Sequence, residues 1–198
     1  IVPRVRCCGR PMLSKGMMDK ARRNARFNVD SVHAEVEGGA KLVGLEPSCI
    51  LSFRDDYLDL LGNEVKARAV ASNAMLIEEF LLHAINEDGA EIAFTEKEVK
   101  VLFHGHCHQK ALVGTKPAME VLRAIPGCQA REIPSGCCGM AGAFGFEKEH
   151  FDISMSIGEQ ELFPAIRSQE GDFTVVSEGV SCRQQIEDGT GRQAKHLV

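Results

Sequence analysis

Ala130-Arg131-Glu132-Ile133-Pro134-Ser135-Gly136-Cys137-Cys138-Gly139 repeats the pattern of the chain's opening, Ile1-Val2-Pro3-Arg4-Val5-Arg6-Cys7-Cys8-Gly9. A second pair obeys the same rule. Thr174-Val175-Val176-Ser177-Glu178-Gly179-Val180-Ser181-Cys182 lines up with Lys41-Leu42-Val43-Gly44-Leu45-Glu46-Pro47-Ser48-Cys49. Cys137 stands 130 residues after Cys7, and Cys182 stands 133 after Cys49. Two separate segments at nearly one offset mark an internal repeat, the feature that most constrains a fold. In each half a short apolar, β-branched run ends in cysteine and a helix-compatible stretch follows.

Working outward, Lys15 to Gly39 carries Met18, Ala21, Ala25 and Val29 at helical spacing and is stopped by Gly38-Gly39. Helices are also predicted over Ala74 to Asn86, Lys116 to Ala124 and roughly Glu147 to Ser168. Val99 to Phe103 reads as a strand running into His104-Gly105-His106-Cys107-His108. Alternating strands and helices imply an α/β fold with parallel sheets and helices on both faces. The boundary is placed near Thr95 to Val99, giving a first repeat over residues 1–97 and a second over 98–198. The strand and cysteine at 99–107 have no counterpart in the first half, so the first repeat reads as truncated at its N-terminus, its upstream strand and cysteine missing.

Composition narrows the function. With 44% apolar and 26% charged residues the 198-residue chain is globular rather than disordered. No apolar run reaches the roughly 18–20 residues a membrane span needs, and no charged-then-apolar leader opens it. A cytoplasmic setting follows, with any membrane association supplied by a partner. Net charge of −5 argues against a nucleic-acid partner. Eight cysteines without a secretion signal point to metal or redox chemistry rather than structural disulfides. The adjacent pairs Cys7-Cys8 and Cys137-Cys138 are too close along the backbone for ordinary disulfide geometry.

In open α/β sheets, sites form at the carboxyl ends of strands. Cys107, Cys137, Cys138 and Cys182 are therefore expected to converge at one sheet edge, and Cys7, Cys8 and Cys49 at another. Strand-to-helix turns face helix N-termini, which favour the thiolate that iron–sulfur clusters and zinc require. The alternative is a set of ordinary buried cysteines, which the duplicated spacing disfavours. Cys128, after Pro126-Gly127 in a turn and without a mate in the repeat, takes that ordinary reading. Zinc, with Cys₄ or Cys₃His ligation, is the rival metal. His104, His106 and His108 alternate with Cys107, so in an extended segment they point away from it, and one or two of them cap the strand end by hydrogen bonding. His106 and His108 are the candidates for tuning the site. Gly139, in a glycine-rich turn, lets the backbone pack closely around a cluster, with an anion cradle as the alternative, and Arg183 either offsets thiolate charge or is an ordinary surface arginine. No nucleophile elbow or paired-carboxylate motif supports hydrolysis.

The order Cys107…Cys137-Cys138-Gly139…Cys182, with Cys7-Cys8-Gly9 and Cys49 before it, resembles the cysteine-rich CCG domain family. That domain occurs in a subunit of heterodisulfide reductase and in the iron–sulfur subunits of glycolate oxidase and anaerobic glycerol-3-phosphate dehydrogenase. It also forms the C-terminal part of fused FAD-linked oxidases, which His104-Gly105-His106-Cys107-His108-Gln109-Lys110 and Gly145-Phe146-Glu147-Lys148-Glu149-His150 resemble most. The resemblance implies two pseudo-symmetric Rossmann-like units, each holding an iron–sulfur cluster of the [4Fe-4S] type. It implies an electron-transfer domain of an oxidoreductase, inactive alone, relaying electrons from FAD in a partner domain or subunit to an acceptor. The substrate would be a 2-hydroxyacid such as glycolate or D-lactate, or glycerol 3-phosphate, with a ferredoxin-like cluster domain as a further partner. Ser52 and Gln185 stand where the heterodisulfide reductase branch ends a Cys-x-x-Cys, which favours electron relay over thiol–disulfide chemistry. A zinc-stabilised docking module without a redox role is the alternative from another class.

Overall fold

A computed structural model describes residues 2, 4–87 and 89–198, so the expectations for Ile1 and Pro3 lie outside the described residues. The chain is mixed α/β with parallel sheets and divides into two compact units, Ile1–Ile77 and Glu78–Val198. That division falls some twenty residues before the boundary read from sequence. Glu78, at the start of helix Ile77–Asn86, is fully buried and hydrogen bonded to Gln109, which ties it to the second unit.

In the first unit, helix Met18–Glu37 buries Ala21, Ala25, Asn28, Val29, Val32 and Val36, one stripe at three- and four-residue steps. Strand β1 (Leu42–Gly44) pairs in parallel with β2 (Ala74–Leu76). The helix expected from Ala74 therefore begins only at Ile77. Ala74 and Leu76 are buried and Met75 less so, an alternation of period two that three residues are too short to reveal in sequence. Helix Pro47–Arg54 follows β1. Its start is set by Pro47 and by the Glu46 carboxylate, which accepts from the Ser48 hydroxyl at 2.7 Å. The apolar segment before Cys7 forms no strand among the described residues. Its backbone is captured by a side chain instead: Arg6 N–H donates to Asn28 Oδ1 (2.7 Å) and Asn28 Nδ2 donates to Arg6 O (3.1 Å).

The second unit has four parallel strands, β3 (Val99–Phe103), β4 (Cys128–Glu132), β5 (Thr174–Val176) and β6 (Ala194–Lys195), in the order β4-β3-β5-β6. Side chains alternate across β3. Val101 and Phe103 pack with Ala118, Met119 and Leu122 of helix Lys116–Ala124 on one face. Leu102 packs with Phe163 and Ile166 of helix Leu162–Arg167 and Ile186 of helix Val180–Thr190 on the other. Covering both faces accounts for the apolar end of β3 and for β5, whereas the edge strand β4 alternates half-buried and exposed residues. The single helix expected over Glu147 to Ser168 is broken into a 3₁₀ turn (Lys148–His150) and two helices, Phe151–Gly158 and Leu162–Arg167. Pro164 lacks an N–H and is tolerated only in a first turn, so the helix must restart just before it. Cys128 opens β4 rather than sitting in the turn before it. No described helix is long and apolar enough to cross a membrane.

The Phe163 ring is fully buried, and a Cβ added at either Gly158 or Gly189 would lie 2.3 Å from it. Overpacking of this kind costs roughly 1–3 kcal/mol, which outweighs the roughly 1 kcal/mol that alanine gains over glycine within a helix. Gly189→Ala is therefore expected to lower the urea midpoint of the second unit; a midpoint that rises would show that the ring has room to move.

Candidate metal centre

The register of the second sheet determines what can meet. Phe103 at the end of β3 is paired with Glu132 on β4 and with Val176 on β5, so three strands finish side by side. The chain leaves each finish through a turn that carries cysteine. After β3, Cys107 is the first residue of helix Cys107–Leu112 and His106 caps that helix. His106 Nδ1 accepts from the His108 N–H (3.1 Å), and Gln109 Oε1 accepts from the His106 N–H (3.1 Å). The helix that this cap starts begins at Cys107, so the strict alternation of histidine and cysteine expected for an extended stretch does not hold beyond His106. After β4, Lys110 Nζ donates to the carbonyls of Ser135 and Gly136 and ties the Cys137-Cys138 turn to the same helix. After β5, Cys182 is the third residue of helix Val180–Thr190, and Arg183 Nη1 donates to Ser177 O (3.0 Å) and Glu178 O (2.6 Å). Arg183 thus fastens the loop that presents Cys182. Gly179 allows the close approach: a Cβ there would lie 2.5 Å from the His106 ring and 3.2 Å from Cys182 Sγ.

All four cysteines are unbridged. Cys107 contacts Cys137, Cys137 contacts Cys138, and Cys138 contacts Cys182 through side-chain hydrogen bonds. Cys138 and Cys182 are buried, Cys107 and Cys137 partly so. The contacts sort the thiols. Donation to Cys137 pushes Cys107 up, reinforced by burial, while Cys137 is held far down by accepting from Cys107 and Cys138. Cys138 is raised by donating to its two neighbours and by burial. Cys182 is held well below the ordinary thiol value chiefly by the Cys138 thiol, with the His104 and His106 rings assisting. Backbone N–H groups add to this: Gly139 N lies 3.4 Å from Cys137 Sγ, Ala141 donates to the same sulfur, and Met140 donates to Cys138. Gly139 (φ 100°) and Ala141 (φ 45°) adopt left-handed conformations, which turn successive amides inward as in an anion-binding nest. The glycine-rich turn closes on the sulfurs.

His104 lies in this group, although the sequence pointed to His106 and His108. It is fully buried, and its ring nitrogen falls within 4.8 Å of the Cys138 and Cys182 sulfurs, all three atoms mutually. Parity with Leu102, whose face of β3 packs on Cys138 and Cys182, was the available signal. Gln185 does not join the cysteines. Its Nε2 donates to Ser154 O (3.1 Å) and Oγ (2.9 Å). Beside the centre, Gln109 Nε2 donates to the buried carboxylates of Glu78 (2.6 Å) and Glu178 (2.5 Å), which are also in hydrogen-bond contact with each other. No motif announced that pair, because its members come from three distant segments. Cys128 lies at the opposite end of β4, away from the other cysteines.

The first unit makes a smaller group. Cys49 is the third residue of helix Pro47–Arg54, as Cys182 is of its own helix. The Cys8 thiol contacts both Cys49 and Cys7; its donation to Cys49 and its burial push it up and leave Cys49 lowered. The loop is held by Tyr57, whose hydroxyl donates to Cys8 O (2.9 Å) and accepts from Asn28 Nδ2 (2.9 Å), and by Asn24 Nδ2 on Cys7 O (3.0 Å). Gly9 after this pair, like Gly139 after the other, has positive φ.

The chain matches a family described as the cysteine-rich CCG domain over residues 2–54 and 101–187. It is 32% identical to a subunit of the anaerobic glycerol-3-phosphate dehydrogenase of Escherichia coli K12, over all of this chain and 49% of that protein. It is 30% identical to D-2-hydroxyglutarate dehydrogenase of Pantoea ananatis and 27% identical to that of Escherichia coli K12. Those matches take in 95% and 96% of this chain but 18% of each relative. The chain thus spans about half the length of the first relative and less than a fifth of the others.

A Cβ at Gly139 would sit 2.1 Å from the Ser154 carbonyl oxygen, on a backbone already at positive φ. Gly139→Ala should therefore strain the turn by on the order of 1–3 kcal/mol and lower the midpoint for thermal unfolding of the second unit; an unchanged midpoint would mean that the turn is free to refold. Burial holds the Glu78 pKa above its ordinary 4.5, with the contacts from Glu178 and Gln109 opposing. Below that value both folded and unfolded chains are protonated at this site. As pH rises past it the unfolded chain ionises first, so stability drains away until the folded pKa is itself passed. Glu78→Gln should flatten this stretch of the pH profile of the urea midpoint, and a profile identical to the parent would remove Glu78 as its cause.

Proposed function

Because the chain belongs to the cysteine-rich CCG domain family, we propose that its second unit ligates an iron–sulfur cluster through Cys107, Cys137, Cys138 and Cys182 and serves as an electron-transfer domain of a flavin-linked dehydrogenase. The observation that carries the reading is the unbroken run of sulfur contacts, Cys107 to Cys137 to Cys138 to Cys182, built from three adjacent strand ends. The donor set fits such a group: four unbridged cysteines, two of them held towards thiolate, with amide N–H groups directed at the sulfurs. When bound, the cluster supplies one-electron transfer without any change in covalent bonding to substrate.

The chain's own residues then have separable tasks. The four cysteines hold the centre. The N–H groups of Gly139, Met140 and Ala141 stabilise negative charge on Cys137 and Cys138 and so favour the reduced state. His106 and Gln109 fix the helix start that carries Cys107, and Arg183 fixes the loop that carries Cys182. Burial of Cys138 and Cys182 keeps water from the inner flank. Cys7, Cys8 and Cys49 form a second thiol group with the same local chemistry in the first unit. We read the two units as diverged copies of one Rossmann-like module. FAD in a partner domain would oxidise a 2-hydroxyacid or glycerol 3-phosphate, in keeping with the names of the relatives. A ferredoxin-like domain would stand next in the relay.

Anaerobic reconstitution of the whole chain with ferrous iron and sulfide should give a brown protein whose absorbance bleaches on reduction with dithionite. Cys137→Ser and Cys182→Ser should retain less than about a tenth of the iron of the second unit, since direct ligands matter at least as much as the partners that orient them. Cys128→Ser should retain it all. Tight zinc with no iron–sulfur absorbance would overturn the electron-transfer reading in favour of a structural metal.

A further inference from the structure

We propose that His104 is itself a metal ligand, donating through Nε2 beside Cys138 and Cys182, with Ser135 holding the ring in the required tautomer. The inference rests on the reading that this end of the site holds a metal, and it adds a nitrogen to a donor set otherwise composed of sulfur.

Three independent observations converge. First, the His104 side chain is fully buried at the carboxyl end of β3, on the Leu102 side of the strand. Second, the two ring nitrogens have divided roles. Nδ1 lies 2.9 Å from Ser135 Oγ, whereas Nε2 finds no nitrogen or oxygen partner among the described residues. A buried ring nitrogen left without such a partner forfeits its hydration, and what faces it here is the Cys182 sulfur, itself a metal donor. Coordination to a metal is the interaction that would compensate. Third, a ring nitrogen of His104 and the sulfurs of Cys138 and Cys182 all lie within 4.8 Å of one another. That is close to the span of donors around a single metal position, given metal–nitrogen bonds of about 2.0–2.1 Å and metal–sulfur bonds of about 2.3 Å.

The Ser135 contact is what a ligating histidine requires. If Nδ1–H donates to the hydroxyl, the neutral ring presents its lone pair at Nε2, so no proton has to leave the ring when metal binds. Ser135 is in turn positioned, because Lys110 binds the carbonyl of the same residue. His106 is a weaker candidate despite its proximity. Its Nδ1 is committed to the His108 amide as a helix cap. A neutral imidazole at this position, compared with a further thiolate there, leaves less negative charge on the centre and raises its potential, as in mixed cysteine–histidine clusters. The site would thus operate at a higher potential than an all-cysteine one.

The test uses the whole chain labelled with ¹⁵N-histidine, reconstituted anaerobically with ferrous iron and sulfide, reduced, and read by pulsed electron paramagnetic resonance. A histidine nitrogen coupling is expected in the parent and in His106→Asn, which keeps a capping side chain. In His104→Cys, which still offers a ligand, the coupling should vanish while iron remains bound, and the midpoint potential should fall. A cluster that forms in the parent without nitrogen coupling would overturn the inference and leave the electron-transfer reading standing. If the chain takes up zinc instead, X-ray absorption showing one nitrogen among sulfurs, lost in His104→Cys, would support His104 as a ligand while the cluster reading fails. Zinc bound by sulfur alone, or no uptake of either metal, would overturn it.

Discussion

The parallel register of β4-β3-β5 is the constraint on which the second unit depends. Phe103, Glu132 and Val176 finish level with one another, so three segments separated by dozens of residues are delivered to one edge within a few ångströms. Each strand is only three to five residues long. A slip of one residue in any pairing would turn its outgoing cysteine, and every apolar side chain with it, to the other face. The core residues on both faces of β3 therefore guard the site geometry as much as the fold's stability.

Around that edge the structure spends its polar groups on position. The carbonyls of Ser135 and Gly136 go to Lys110, those of Ser177 and Glu178 to Arg183, and the His106 amide to Gln109. Gln109 continues inward to Glu78 and Glu178, so one side chain links the helix cap at Cys107 to a buried acid pair. In the first unit the same task falls to Asn24, Asn28 and Tyr57, which hold the Cys7-Cys8 loop by its backbone. Different residues solve one problem: an irregular loop carrying thiols must have its amides and carbonyls satisfied before it can be buried.

Much of this is legible in the residues alone, and unevenly so. Val99–Phe103 and Lys116–Ala124 emerge with the limits read from sequence, because apolar periodicity and a flanking turn agree. The meeting of Cys107, Cys137, Cys138 and Cys182 follows from strand polarity and the repeat. What escapes depends on tertiary partners. β2 exists because Leu42–Gly44 lies beside it, and the segment before Cys7 is not a strand because Asn28 takes its hydrogen bonds. Cys128, expected in a turn, opens a strand, since Val99 is across from it. His104 reads as a cap only while the alternation with Cys107 assumes an extended chain, whereas a helix begins at Cys107. The acid pair of Glu78 and Glu178 leaves no local trace.

The adjacent residues Cys137 and Cys138 differ in surroundings: one is partly exposed, the other lies in the core with Met140 and Ile186. Cys107 shares the outer situation and Cys182 the inner one. The sulfur group therefore straddles a dielectric boundary, wet on one flank and dry on the other. Dioxygen and alkylating reagents meet the Cys107–Cys137 flank first, and charge arriving there is poorly screened on the side of Cys138 and Cys182. The anisotropy is set by a single peptide step within the turn, which sends two neighbouring thiols into different media.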